Sequence, residues 1–241
     1  MSNGTVTNRD GFLLTLSSRL GRHHFSEKVE RPKWKYQPQY RVLEGASTND
    51  LLEVLKEQCK VIHTDLIETS SENLTEKISA VVSGYGGGPI TTWNDKRFDL
   101  FGLKPLLTEE WRNQGIEVQT WEPTLGVDYN REFAERSNIG ITFSDLTLAE
   151  SGTVLLFSNS NKGRSVSLLP TNYIAIIPKS TIVPRMTQAS AYLHELIEDG
   201  KRIPSCVNFV TGPSNSADIE MKLVVGVHGP VRATYIVVVD Q

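Results

Sequence analysis

From Thr48 onward, apolar positions recur either at helical spacing or at every second residue, and the two periods alternate along the chain. That alternation predicts an α/β protein. Helices are expected over residues 49–60, where Leu51, Leu52 and Leu55 share a face, and over 72–83, 108–114, 129–137 and 186–199. Gly115 and Gly200 follow two of these runs and supply stops. Strands are expected over 90–93, 116–121, 173–177, 206–210 and 234–239, where β-branched and apolar residues concentrate. Residues 145–149 and 153–157 flank the turn E-S-G and read as a hairpin, which makes the sheet mixed instead of purely parallel. Residues 207–210 are apolar enough for a central strand, and 216–225 read as a short helix.

The first 45 residues follow neither rhythm. Asn8 or Asp10 would cap a short amphipathic helix carrying Phe12, Leu13, Leu16 and Leu20, which Gly21 would end. Residues 23–40 combine prolines, charges and aromatics, so an extended arm is expected, either lying on its own domain or docking a partner. The boundaries that follow are 1–45 for helix and arm and 46–241 for the α/β domain.

Composition narrows the function classes. The 241 residues are 39% hydrophobic and 22% charged, with a formal net charge of -3, and are enough to bury a core without staples. The mild negative charge and the lack of a basic tract argue against nucleic acid as a partner. No apolar run approaches the roughly 20 residues of a membrane span, and residues 1–10 lack a signal-peptide core, so a cytoplasmic location is expected. Two cysteines, Cys59 and Cys206, cannot hold a cluster that needs four thiolates. No metal site is expected either: His23 and His24 are adjacent, while His63, His194 and His228 show no ligand spacing.

Three segments carry candidate chemistry. In T-G-P-S-N-S-A-D-I-E, residues 211–220, Gly212 permits close backbone approach, and Ser214, Asn215 and Ser216 could cap the expected helix, whose free N–H groups attract anions. Asp218 and Glu220 then either offset the helix dipole or face the cleft. His228 in G-V-H-G-P is a candidate proton carrier, with Gly229 beside it. A-E-S-G-T, residues 149–153, places Glu150 at a tight turn as a base or nucleophile, and N-K-G-R-S, residues 161–165, offers Arg164 to a carboxylate or phosphate. Against these stand plain turn and capping roles. The glycine run G-Y-G-G-G-P, residues 84–89, matches no phosphate-binding fingerprint and reads as a connection.

Taken together, A-E-S-G-T-V, the Arg164 loop leading to L-L-P, G-P-S-N-S-A-D-I-E and G-V-H-G-P resemble, in order and spacing, the lactate utilization protein C family of the LUD domain. Asn215 stands where the family commonly has a basic residue. The resemblance implies a three-layer α/β/α fold with a mostly parallel mixed sheet, like glucosamine-6-phosphate isomerase, ribose-5-phosphate isomerase and CoA transferases. It also implies a part in bacterial oxidation of L-lactate to pyruvate beside two iron–sulfur proteins that hold the clusters, with no cofactor in this chain. The expected site is a cleft for a small carboxylate. Arg164 or the amides near Ser214 and Ser216 would hold the carboxylate, with Gly212, Asp218, Glu220 and Gly229 around it, and His228 or Glu150 would handle the hydroxyl proton. The rival readings are a non-catalytic assembly subunit and a transferase or isomerase-like enzyme for a CoA-linked or phosphorylated substrate, with Glu150 as acyl acceptor.

Overall fold

The computed structural model describes residues 6–22, 34–217 and 221–241. They group into two compact units, residues 1–38 and 39–241. In the first, helix α1 spans Arg9–Arg19, with Asn8 as N-cap but no side-chain capping bond. Most of the arm expected over 23–40, namely residues 23–33, lies outside the described residues.

The second unit begins with α2 (Thr48–Val61), closed at its start by reciprocal bonds: Asp50 N donates to Ser47 Oγ at 3.2 Å, and Ser47 N to Asp50 Oδ2 at 2.8 Å. Leu51, Leu52 and Leu55 are buried along its inner face, as their spacing predicted. Strand β1 (Thr64–Thr69), α3 (Leu74–Gly84) and β2 (Ile90–Thr92) follow, and α4 (Arg97–Leu100) is a single turn. A π-helical segment, Leu106–Glu110, runs into α5 (Trp111–Asn113). Then come β3 (Val118–Thr120), α6 (Val127–Arg136) and β4 (Ile139–Phe143).

Next in the chain are β5 (Leu146–Leu148), β6 (Thr153–Ser158), α7 (Ser165–Leu168), β7 (Asn172–Pro178), β8 (Ile182–Val183), α8 (Met186–Glu198) and β9 (Cys206–Thr211). The last strands are β10 (Asn215–Ser216), β11 (Val224–Val225) and β12 (Arg232–Val238).

Six strands form one parallel sheet in the order β1-β12-β7-β4-β2-β3. Strands β4 and β7 are buried at every position, and β12 at all but Arg232, because both faces are covered. Side-chain alternation shows this on β12: Tyr235 points toward the second sheet and reaches Gly152, whereas Thr234 points the other way and meets Tyr85 at the end of α3. On that second face Phe98 and Phe101, in and just after α4, pack on Phe143 of β4. The arrangement is the helix-flanked α/β sheet expected from the sequence.

The hairpin β5–β6 forms as predicted, with Thr147 opposite Val154. Its mixed pairing belongs to a separate four-stranded sheet, β8-β5-β6-β9, instead of to the main one. Strand β9 is therefore the edge of this small sheet and half-exposed, not a central strand. The described residues of 216–225, namely 216–217 and 221–225, do not make the expected helix. Ser216 pairs with Val224 and Asn215 with Val225 in an antiparallel ladder. Ser214 N donates to Pro230 O and Gly226 N to Ser214 O, so the backbone finds cross-chain partners and β-branched Val224 and Val225 sit in extended geometry. Strands β1 and β4 were not anticipated.

Candidate functional site

Two of the motifs meet. Tyr235 Oη, fully buried on β12, accepts from Gly212 N at 3.0 Å and donates to Gly152 O at 3.0 Å, with Val210 O at 3.3 Å. Burial pushes the Tyr235 phenol well above its usual range, although the Gly212 amide opposes this, so the hydroxyl stays a neutral linker. Thr153 Oγ1 and Thr211 Oγ1 add a 2.8 Å bond between the same turns. Gly212 adopts φ +62, and a Cβ there would lie 2.7 Å from Ile62 O. Its turn therefore rests at the amino-terminal start of β1. That is the opposite edge of the parallel sheet from the one where ligands usually collect.

The expected site residues divide among several places. Glu150 is ion-paired with Arg185 at 2.9 Å. His228, Gly229, Ser214 and Gly212 line a cavity of about 360 Å3 that takes in neither Glu150 nor Arg164 and presents no Lys or Arg. Arg164 is exposed at the start of α7, without an ion pair or side-chain hydrogen bond. Ser216 lies in β10, and Asp218 and Glu220 fall outside the described residues. With no helix in the described residues around Ser214 and Ser216, the capped-helix anion site expected there is absent.

The cluster that sequence reasoning missed lies at the carboxyl ends of β2 and β4. There the sheet reverses its order: from β2 the chain steps outward to β3, then returns to β4 on the other side of β2 and proceeds toward β7. Such a reversal opens a crevice between diverging connections. Asp95 follows β2 and Asp145 follows β4. Arg97 binds both, with Nε 3.1 Å and 3.0 Å from the two Asp95 oxygens, Nη2 2.6 Å from Asp95 Oδ2 and 2.9 Å from Asp145 Oδ1, and Nη1 on Ser144 O at 2.8 Å. Lys162 Nζ is 2.7 Å from Asp95 Oδ2 and 3.7 Å from Asp145 Oδ1. The second Asp145 oxygen accepts from Phe157 N at 2.7 Å. Asp95 is only 6% exposed and Lys162 15%. Burial pushes the Asp95 carboxyl upward, but the Arg97 bonds and charge, with Lys162, outweigh it and hold the group at about 2.

Two tryptophans aim the lysine. Trp93 Nε1 donates to Gly163 O at 2.8 Å and Trp121 Nε1 to Ser160 O at 3.0 Å, which pins the loop after β6 across the ends of β2 and β3. A Cβ at Gly163 would lie 2.2 Å from the Trp121 ring, so only glycine admits this approach. Above the charges opens a cavity of about 500 Å3, lined by Asp145, Lys162, Ser158, Tyr192 and Arg202 among others. The signal for it was present as W-N-D-K-R directly after one apolar strand and S-D after another, but only the strand order brings the two together. Among the described residues, no group of three or more His, Cys, Asp or Glu gathers as a metal site would need, and no helix is long and apolar enough to cross a membrane.

A family model for the LUD domain matches residues 52–238. A "Lactate utilization protein C" of Geobacillus sp. strain WCH70 is 60% identical over all 241 residues, covering both chains completely. The chain belongs to the lactate utilization protein C family of the LUD domain. Family members of the same name from Bacillus subtilis strain 168 and Macrococcus caseolyticus strain JCSC5402 are 54% and 52% identical, again over the full length of both chains. The LUD fold itself is matched by the crystal structure of a DUF162 family protein from Deinococcus radiodurans, with TM-score 0.57 and 20% identity, covering 80% of this chain and 99% of that one.

Proposed function

We propose that this protein serves lactate utilization as a cytoplasmic component of the system that oxidises L-lactate to pyruvate, acting with two iron–sulfur proteins. The observation that supports this reading is the end-to-end similarity to relatives named for lactate utilization. The electron-carrying clusters belong to the partners. This chain offers two cysteines, and burial raises the Cys59 thiol to about 12, which keeps it a protonated core residue.

The chain's own contribution is to bind an anionic small molecule in the cavity at the reversal of the sheet. Lys162 and Arg202 supply the cationic contacts there, in the place where open α/β sheets bind ligands. Deleting the gene in its host should abolish growth on L-lactate, and the intact gene should restore it. Growth unchanged by deletion overturns the role. Affinity capture of the tagged protein should bring down two iron–sulfur proteins, and their absence from the capture overturns the assembly.

A further inference from the structure

The cavity at the sheet reversal has room for much more than a three-carbon acid. Its volume is about 500 Å3. A molecule of six heavy atoms occupies less than about 180 Å3, even when each atom is given the ~30 Å3 that a water molecule takes in the liquid. The free space instead matches the ~300–1,000 Å3 of sites that hold cofactor-sized ligands.

The lining has two chemistries. The loop after β6 presents Ser158, Asn159, Ser160 and Lys162. Of the three Lys162 donors, one is engaged by Asp95 at 2.7 Å, and Asp145 at 3.7 Å is beyond hydrogen-bond reach, so donors remain for an incoming oxyanion. Asp145 also lines the space, but its two oxygens already accept from Arg97 and from Phe157 N. Asp95, Arg97, Asp145 and Lys162 sum to no net charge, and Arg202, which has no ion-pair partner, adds the positive charge an anion requires. The other surface comes from α8 and its junction with β6. There Tyr192 lies parallel to Phe157, at 14° and 6.4 Å between ring centroids, with Leu196 and Ile203 nearby. An aromatic face beside a cationic, hydroxyl-bearing loop suits a planar ring joined to phosphate.

We infer that this cavity binds a nucleoside phosphate, with phosphate on Lys162, Arg202 and the serine hydroxyls and the base against Tyr192. The inference rests on the reading of this cavity as the ligand site. Calorimetric titration of the full chain with ADP, ribose 5-phosphate, adenosine and L-lactate tests it. ADP should bind saturably and at least about tenfold more tightly than ribose 5-phosphate or adenosine. Tyr192→Ala and Arg202→Ala should each weaken ADP about tenfold, and for Arg202→Ala, whose exposed side chain has no ion-pair partner, the unliganded melting temperature should stay put. Failure of ADP to bind, or ADP binding untouched by both substitutions, overturns the inference. Equal affinity for ribose 5-phosphate overturns the role of the base. L-lactate bound in an Arg202-dependent manner without ADP binding overturns the nucleotide while keeping the cavity as the ligand site. No binding by any of the four, with growth on L-lactate intact for Arg202→Ala, overturns both.

Discussion

Arg97 holds two buried carboxylates at once, so its loss does more than remove a pair. Arg97→Met would leave Asp95 and Asp145 with Lys162 as their remaining cation, and breaking a buried pair from one side costs about 3–5 kcal/mol. Urea unfolding should register a loss of that size, whereas Arg164→Ala, at an exposed side chain without partners, should stay within about 0.5 kcal/mol of the parent. Acid acts on the same cluster. Asp95 ionises at about 2 in the fold against an ordinary 3.8, so the native state binds fewer protons than the unfolded chain between those values. The resulting stabilisation, about 2–3 kcal/mol, is complete above pH ~4 and is lost as pH falls through 2. A urea midpoint that declines from pH 4 to 2 should flatten in Asp95→Asn. Asp95 and Arg97 could be seen in the sequence as charges trailing a strand. Their tie to Asp145, fifty positions further on (145 against 95), could not, because it depends on which strands are neighbours.

At the level of elements, capping and loop anchoring do most of the local work. Ser47→Ala removes one half of the reciprocal cap on α2 and should cost about 1 kcal/mol in urea or thermal unfolding. Gly163→Ala forces a Cβ into the Trp121 ring, so the loop must lift and carry Lys162 away from Asp95. Its expected signature is a changed tryptophan emission together with weakened anion binding. The elements that could be read in advance were those whose own residues decide them: α2 with its leucine face, α8 before Gly200, and the hairpin around E-S-G. Strand β1 escaped because it is a half-exposed edge with just two apolar residues, Leu66 and Ile67, between polar pairs, and β4 because Gly140 interrupts its apolar run. Gly140 is there for packing, since a Cβ would lie 1.9 Å from Val166 O of α7. The segment after Ser214 carried helix-start residues, yet pairing with Val224 and Val225 decided its shape. Long-range backbone partners of that kind leave no local trace.

Across the whole unit, one hydroxyl joins the two sheets. Tyr235→Phe would leave the buried Gly212 amide and Gly152 carbonyl without their partner, at a cost of about 1–3 kcal/mol. Hydrogen exchange should show faster opening at Gly212, while amides of β4 and β7 keep their protection. The order β1-β12-β7 has a consequence for how the molecule is made. Among the described residues β1 pairs only with β12, so the ribosome must supply everything between Thr69 and Arg232 before that pairing begins. At ~5–20 residues per second this takes about 8–30 s. Strand β1 waits unpaired through that interval, β7 joins it as a second open edge once Pro178 has been added, and the arrival of one strand closes both together.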